Sequence, residues 1–234
     1  MRVEQQPAYL LHARAYRETS LLLEAFTRDH GRVGLVARGV RRERSRWPRG
    51  MLQPLQPLLL GWTAQGELGT LTAVDAASTP LLLRGDDLVA AMYVNELVLR
   101  LSQRADAHPR AFAAYAQCLA RLGEGGDTAW SLRRFERDLL GELGYGLALG
   151  ATAQGEPIEA AAEYLYDPDA GAFPWRGGSH FPRVAGAALL ALDRDEKPSP
   201  AHLAQLRTLM RGVVRHLIGG ELQSWSLAGQ LPRG

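Results

Sequence analysis

Short apolar runs separated by turn residues fill the first eighty positions of the chain. Runs of this length, alternating or continuous, predict β-strands. We expect five strands, in the segments AYLLHARA, TSLLLEAFTR, GRVGLVARGV, LQPLQPLLLGW and GELGTLTAV. Asp29-His30-Gly31 predicts a tight turn after the second strand, and Gln65-Gly66 predicts one after the fourth. Five strands at hairpin spacing fit a small closed barrel such as the OB-fold, and an SH3-like barrel fits the pattern nearly as well.

The apolar spacing changes to a helical period after Thr79-Pro80. Val89, Tyr93, Leu97 and Leu101 recur every four residues, as an amphipathic helix requires. Further helices are expected from Pro109, from Thr128 as N-cap to Gly144 as C-cap, from Pro182 to about Leu192, and from Ser199-Pro200 to Gly219-Gly220.

Residues 150–181 interrupt these helices. Their segment EYLYDPDAGAFPW predicts a hairpin that turns between Asp167 and Gly171. The whole pattern predicts an α+β chain, with a barrel at residues 1–80 and a helical domain at 81–234. That domain contains a small β insertion at about residues 150–181.

Composition narrows the class of protein. The chain has 234 residues, of which 46% are hydrophobic, and this content excludes a disordered chain. It holds no run of 18 apolar residues and no signal-peptide core, so we expect a cytoplasmic protein outside the membrane. Its one cysteine, Cys118, excludes an intrachain disulfide and a zinc site built on several thiolates.

Positive charge is concentrated at the start of the chain. Residues 1–50 carry eleven arginines and five acidic residues, whereas the remaining residues carry 16 basic and 20 acidic groups. This asymmetry indicates that the N-terminal part meets a polyanion. No nucleotide-binding, metalloprotease, nucleophile-elbow or paired-cysteine motif is present, so we expect no enzyme activity.

The densest cluster of cations is the segment RGVRRERSRWPR, residues 38–49. It contains six arginines and one tryptophan: Arg38, Arg41, Arg42, Arg44, Arg46, Arg49 and Trp47. The segment lies between two predicted strands and is therefore a loop. Guanidinium groups neutralise phosphates and an indole stacks on an unpaired base, so the loop predicts a nucleic-acid contact. The alternative is a solvated basic loop without a specific partner.

Two further arginine clusters lie on predicted helices. Arg207, Arg211 and Arg215 follow an i, i+4, i+8 spacing and line one face of the last helix. This face either contacts an anionic partner such as DNA or is solvated and paired with acids from elsewhere. Arg133 and Arg134 lie beside acidic residues on the third helix, and charge alone predicts a solvated face there.

Several segments carry a resemblance to a known family. The stretch AYLLHARAYRETSLLLEAFTRDHGRVGLVARGVRR and the following LQPLQPLLL closely resemble the start of the bacterial recombination mediator family RecO. YVNELVLRL, LRRFERDLLGELGYG and VVRHLIGGELQSWSL resemble later segments of the same family, in the expected order. The most specific pieces are RETSLLLEAFT and LRRFERDLLGELGYG.

The resemblance implies an N-terminal OB-fold and a helical domain in a protein that is not an enzyme. RecO-like proteins bind single-stranded and double-stranded DNA and anneal complementary strands in DNA repair. With RecR they promote RecA loading on DNA coated by the single-strand-binding protein SSB, in the pathway that includes RecF. The resemblance also implies that the SSB C-terminal tail binds the helical domain, with Arg133 and, less specifically, Arg134 holding its carboxylates. It implies a cytoplasmic, nucleoid-associated location.

The chain departs from the family pattern in two places. Some RecO proteins hold zinc on four cysteines in the insertion, but this chain has no cysteine there, so we expect no zinc and no other cofactor. Packing by Tyr164, Tyr166, Phe173 and Trp175 is expected to hold the hairpin instead. The chain also lacks the cations that often follow the final Gly-Gly, which shifts the expected DNA contact to residues 38–49 and the Arg207 helix. The alternative hypothesis is a scaffold that bridges SSB and RecR, with only secondary DNA binding.

Overall fold

A computed structural model describes residues 1–42, 45, 47, 50–177 and 182–228. The chain divides into two compact units, Met1–Glu124 and Gly125–Gly234. The first unit therefore includes two helices that follow residue 80, in addition to the strands.

The first unit contains a closed five-stranded barrel. Its strands are β1 (Arg2–Tyr16), β2 (Ser20–Thr27), β3 (Gly31–Ala37), β4 (Pro57–Gln65) and β5 (Leu68–Ala76). They close in the order β1-β2-β3-β5-β4, with β1 and β4 paired antiparallel. The one pairing in this barrel that is parallel joins β3 to β5, with Gly34 opposite Leu68. This order is that of the OB-fold, so the predicted barrel is confirmed and the SH3-like alternative is excluded.

The barrel interior follows from the alternation along each strand. Inward positions are apolar and almost fully buried, including Leu10, Leu23, Leu35 and Leu60. Gly31, in the predicted tight turn, has a φ of +63° and approaches the backbone of Asp106, where a Cβ would lie 2.0 Å from the carbonyl oxygen. Glycine is therefore required there by both conformation and space.

Two helices pack against the barrel within the first unit. They are α1 (Gly85–Leu101) and α2 (Pro109–Gly123), and α2 begins at the predicted proline. The rings of Phe112 and Tyr115 on α2 contact Tyr9 and Phe26 on the strands, with centroid distances of 5.0 to 5.7 Å. These edge and tilted contacts are geometries that aromatic pairs favour.

The second unit combines helices with a small sheet. Its elements are α3 (Thr128–Glu142), β6 (Glu163–Asp167), β7 (Gly171–Pro174), β8 (Arg183–Ala185), α4 (Gly186–Asp193), α5 (Pro200–Ile218) and α6 (Gln223–Ala228). The strands form a sheet in the order β7-β6-β8, and β6 and β7 are the predicted hairpin. Ser199 caps α5 and Gly219 ends it in the left-handed conformation, as expected.

Three local predictions in this unit are corrected. The N-cap of α3 is Asp127 rather than Thr128, and Leu143 ends the helix one residue before Gly144, whose φ is +85°. The segment after Pro182 first forms strand β8, so α4 begins only at Gly186. Helix α6 was not predicted, because six residues are too few to show a helical period.

The hairpin is held by part of the expected aromatic set. Tyr164 and Tyr166 are each 4% exposed, and burial raises the pKa of Tyr166 to about 12. Phe173 is half-buried on the opposite face of the sheet. Trp175 is 40% exposed and lies under the Arg183 guanidinium at 4.7 Å, so the prediction that it packs into the hairpin core is wrong.

The cap of α3 yields a stability prediction. Asp127 Oδ1 accepts a hydrogen bond from the Trp130 backbone amide at 2.9 Å, and Oδ2 lies 2.7 Å from Lys197 Nζ. Asp127→Ala should lower the free energy of unfolding by about 1 kcal/mol at pH 7, as measured by urea denaturation. Asp127→Asn should lose less, because asparagine is also a good N-cap.

The stabilisation by Asp127 should also depend on pH. Hydrogen bonding to Lys197, and then to the Trp130 amide, lowers the pKa of Asp127 below its usual value. Its stabilisation is therefore present above the unfolded pKa of about 3.9 and is lost as the pH falls through the lower folded pKa. The gap between wild type and Asp127→Ala should narrow below about pH 4. A gap that does not change with pH would contradict this assignment.

Candidate nucleic-acid interface

The start of the arginine-rich loop meets the β1–β2 turn at one end of the barrel. The backbone amide of Arg41 donates to the carbonyl of Thr19 in that turn at 3.0 Å, which joins the two segments. Arg38, Arg41 and Arg42 are exposed on the loop, and Arg17 is exposed on the turn. We call these four residues the rim arginines.

The rim arginines carry charge that acids do not neutralise. Across the described part of the chain, none of the four forms an ion pair within 4 Å. Arg17 has a φ of +52°, and its guanidinium lies 5.2 Å from the centre of the Tyr16 ring. Four cations with exposed guanidinium groups form a surface suited to phosphates. Sequence reasoning missed Arg17, although its place in the short Arg17-Glu18-Thr19 turn is the signal that could have found it.

The structure reassigns the tryptophan of the loop. Trp47 is 6% exposed and belongs to the barrel core, in the same cluster of buried residues as Val40 and Leu52. Its Nε1 donates to the carbonyl of Arg38 at 3.0 Å, and its backbone amide donates to Ser45 Oγ at 3.1 Å. The prediction that Trp47 stacks on a base is therefore wrong, because a buried ring offers no face to a ligand. It anchors the loop that carries the arginines.

The remaining arginines of the predicted loop site, Arg44, Arg46 and Arg49, lie outside the described residues. Their proposed phosphate contacts remain predictions.

On helix α5, two of the three predicted cations have acidic partners. Arg211 Nη2 lies 3.4 Å from Glu221 Oε2, and Arg215 pairs with the same carboxylate. The Arg211 guanidinium also lies 4.5 Å from the centre of the Trp225 ring. Arg207 is exposed and forms no ion pair with any described residue. The face is therefore much less positive than its sequence spacing indicates.

The two arginines implied for the SSB tail are engaged within the second unit. Arg133 is 6% exposed and pairs with Glu136, which is fully buried. Arg134 binds both carboxylate oxygens of Asp195, at 2.7 and 2.5 Å. Arg133 is therefore buried with its charge paired inside the unit, and its implied contact with the tail carboxylates stays a prediction. The i, i+3 spacing of Arg133 and Glu136 is the signal for this pair.

The part of the chain that the structure describes shows neither a metal site nor a membrane-spanning helix. Among the described residues, no three His, Cys, Asp or Glu side chains lie together as a group that could hold a metal ion. Within the same residues, every helix is too short or too polar to cross a membrane.

Fold and site together define an OB-fold protein with a cationic rim at one end of its barrel. Comparison with protein families identifies residues 1–80 as "Recombination protein O N terminal" and residues 83–226 as "Recombination protein O C terminal". The chain therefore belongs to the RecO family, a family of DNA repair and recombination proteins.

Individual relatives are similar in sequence to this chain along its full length. The chain is 45% identical to the DNA repair protein RecO of Stenotrophomonas maltophilia (strain K279a) over 235 residues, which cover 99% of this chain and 98% of that protein. It is 43% identical to the DNA repair protein RecO of Xanthomonas campestris pv. campestris (strain B100) over 238 residues, 100% of this chain and 99% of that one. The resemblance noted in the sequence is thereby confirmed.

The burial of Trp47 can be tested against the exposed Trp175. Trp47→Ala should lower the free energy of unfolding by about 3–5 kcal/mol, because it leaves a cavity in the barrel core. Trp175→Ala should change it by less than about 1 kcal/mol, since only a cation–π contact at the surface is lost. Both values can be measured by urea denaturation. Equal losses would contradict the different burial of the two indoles.

Proposed function

We propose that this chain is a recombination mediator that binds DNA through its barrel. The observation that carries the proposal is the group of rim arginines, whose guanidinium groups lie exposed at one end of an OB-fold without ion-pair partners among the described residues. OB-folds bind oligonucleotides with their strand faces and loops, and cations there hold the phosphates. Such contacts to phosphates do not depend on base sequence.

Further parts of the proposal rest on family membership. The protein binds single-stranded and double-stranded DNA, anneals complementary strands and acts without making or breaking bonds. It binds the C-terminal tail of SSB through the helical unit and, with RecR, promotes RecA loading on SSB-coated DNA, with RecF as a further functional partner. It needs no zinc, because the insertion lacks the cysteines. It works in the cytoplasm, associated with the nucleoid.

The location of Arg133 changes how tail binding is tested. Removing Arg133 would leave the carboxylate of Glu136 buried without its cation, and such losses destabilise a fold strongly. An Arg133→Ala variant would therefore lose activity through unfolding whatever its role in binding. Arg207, which is exposed, is the safer position at which to probe an anionic partner of the second unit.

The electrostatic proposal predicts a salt dependence. If about six phosphates are engaged, the logarithm of the affinity for single-stranded DNA should fall against the logarithm of salt with a slope near −4. The triple variant Arg38→Ala, Arg41→Ala, Arg42→Ala should flatten that slope by about 2, because each lost phosphate contact changes it by roughly 0.7. Fluorescence anisotropy of a labelled 20-nucleotide strand measures both slopes.

A control variant removes the same charge elsewhere in the first unit. This triple variant combines Arg84→Ala just before α1, Arg100→Ala on α1 and Arg121→Ala on α2. Its salt slope should remain that of wild type. A wild-type slope near zero would overturn the electrostatic proposal. If both triple variants flatten the salt slope equally, the rim arginines have no special part in DNA binding.

A second candidate function is a protein scaffold that bridges SSB and RecR. It is favoured by the pairing of cations in the second unit, where Arg134 binds Asp195 and Arg215 binds Glu221. These ion pairs leave that unit little positive charge for DNA, so its surface is better suited to protein partners.

Annealing of bare complementary strands separates the two functions. The mediator is expected to accelerate annealing above the spontaneous rate, and the rim triple variant is expected to lose most of that acceleration. A labelled acidic peptide that ends in phenylalanine should bind wild type and the rim triple variant equally. Peptide binding without any acceleration on bare strands would favour the scaffold and contradict the mediator.

A further inference from the structure

The barrel has an open hollow at the end that carries the rim arginines. Leu21, Val40, Leu52 and Arg41 line this hollow, whose volume is about 330 Å³. Leu21 is opposite Ala37 near the start of β2 and packs against the barrel core, so the hollow lies at the mouth of the barrel. We call it the mouth pocket.

The floor of the mouth pocket is apolar and continuous with the core. Val40 and Leu52 are 7% and 6% exposed and belong to the same core cluster as Trp47. The half-buried Leu21 and Met51 pack against that cluster. An apolar floor that reaches the surface is suited to a ligand group that is itself apolar and poorly hydrated.

Hydrogen bonds hold the walls of the pocket in place. The Trp47 indole donates to the carbonyl of Arg38, and the Arg41 amide donates to the carbonyl of Thr19, both at 3.0 Å. The first bond fixes the loop above the core and the second fixes the β1–β2 turn beside it. A pocket held in shape before binding loses less entropy when a ligand enters.

Charge around the pocket selects the occupant. The rim arginines attract a polyanion, and Arg41 both lines the pocket and belongs to that group. A single nucleic-acid strand is a polyanion that carries flat, weakly hydrated groups along its length. We propose that the mouth pocket accepts one unstacked base of single-stranded nucleic acid while the rim arginines hold the adjoining phosphates. This inference rests on the proposed DNA binding and adds the group that the site recognises.

The mouth pocket predicts a preference for single-stranded over duplex DNA, which phosphate contacts alone do not give. Bases in a duplex are paired and stacked, so they cannot enter the pocket without being extruded at a cost of a few kcal/mol. Duplex DNA would therefore meet only the arginines, whereas a single strand would also gain from burial of a base.

Removal of bases tests the inference directly. Affinity is measured by anisotropy for a labelled 20-nucleotide thymidine strand and for a strand of equal length in which every nucleotide is abasic. The two strands carry the same phosphates. Wild-type protein should bind the abasic strand about five- to tenfold more weakly, in the lower part of the range known for base contacts. Equal affinities would overturn the proposal.

A filled pocket provides the matched test. Leu21→Phe adds a ring at the mouth, whereas Leu22→Phe makes the same change at the next residue, which lines a separate groove with Arg14 and Leu99. Leu21→Phe should bind single strands several-fold more weakly, bind duplex DNA as wild type does, and no longer distinguish the abasic strand. Leu22→Phe should match wild type in all three measurements.

The outcomes separate this inference from the proposed function. Urea denaturation shows first that both variants are folded. A wild-type protein that binds both strands equally with a steep salt slope retains its phosphate contacts, and only the mouth pocket is refuted. A weakened Leu22→Phe beside an unchanged Leu21→Phe would place the base in the other groove and refute the pocket. A wild-type salt slope near zero refutes the electrostatic site and, with it, this inference.

Discussion

One half-buried amide joins the barrel to the helices of its unit. Asn95 Nδ2 on α1 donates to the carbonyl of Leu11 on β1 at 2.5 Å, and Asn95 Oδ1 accepts from the hydroxyl of Tyr115 on α2 at 2.9 Å. The register of β1 shifts between Leu10 and His12, so the amide bonds to the strand where its regular pairing is interrupted. A polar group withdrawn from water that loses its partner costs free energy, so the two hydrogen bonds of Asn95 favour this arrangement of the strand and the two helices. The placement of strand, helix and helix within the first unit depends on it.

The rim follows from the same register. Beyond the bulge, β1 pairs with β2 as far as Tyr16 opposite Ser20. The Arg17–Thr19 turn therefore lies at the end of the barrel where β3 ends, since Ala37 is opposite Leu21. On the outer face, Glu24 binds both Arg32 and Arg104, and its hydrogen bond raises the pKa of Arg104. An acid thus neutralises part of the positive charge along the strands. The rim arginines have no such acid among the described residues, so all four contribute to the attraction for an anion at the mouth of the barrel.

The sequence predicted what depends on period and on turn chemistry. Alternating strands, the helical spacing from Val89 to Leu101 and the caps at Ser199 and Gly219 are local signals, and the structure contains them. The choice between two barrels depended on the parallel pairing of β3 with β5, which joins residues over thirty positions apart and has no local signal. Trp47 was misassigned for a related reason. Composition shows that an indole lies among cations but not which way the ring turns, and here the core had space for it.

The three arginine clusters, on the loop, on α3 and on α5, have different surroundings. On α3, Arg133 is buried against an acid three residues away, and on α5 two cations share a carboxylate that follows the helix. On the loop, the backbone is bound to a turn and to a buried indole while the described guanidinium groups stay exposed. An arginine that already binds a carboxylate must break that pair before it binds a phosphate, so its net gain is small. Counting positive charge along the sequence therefore overestimates the surface available to an anion. Exposed arginines on a fixed backbone without an acidic partner are therefore the better candidates for binding an anion.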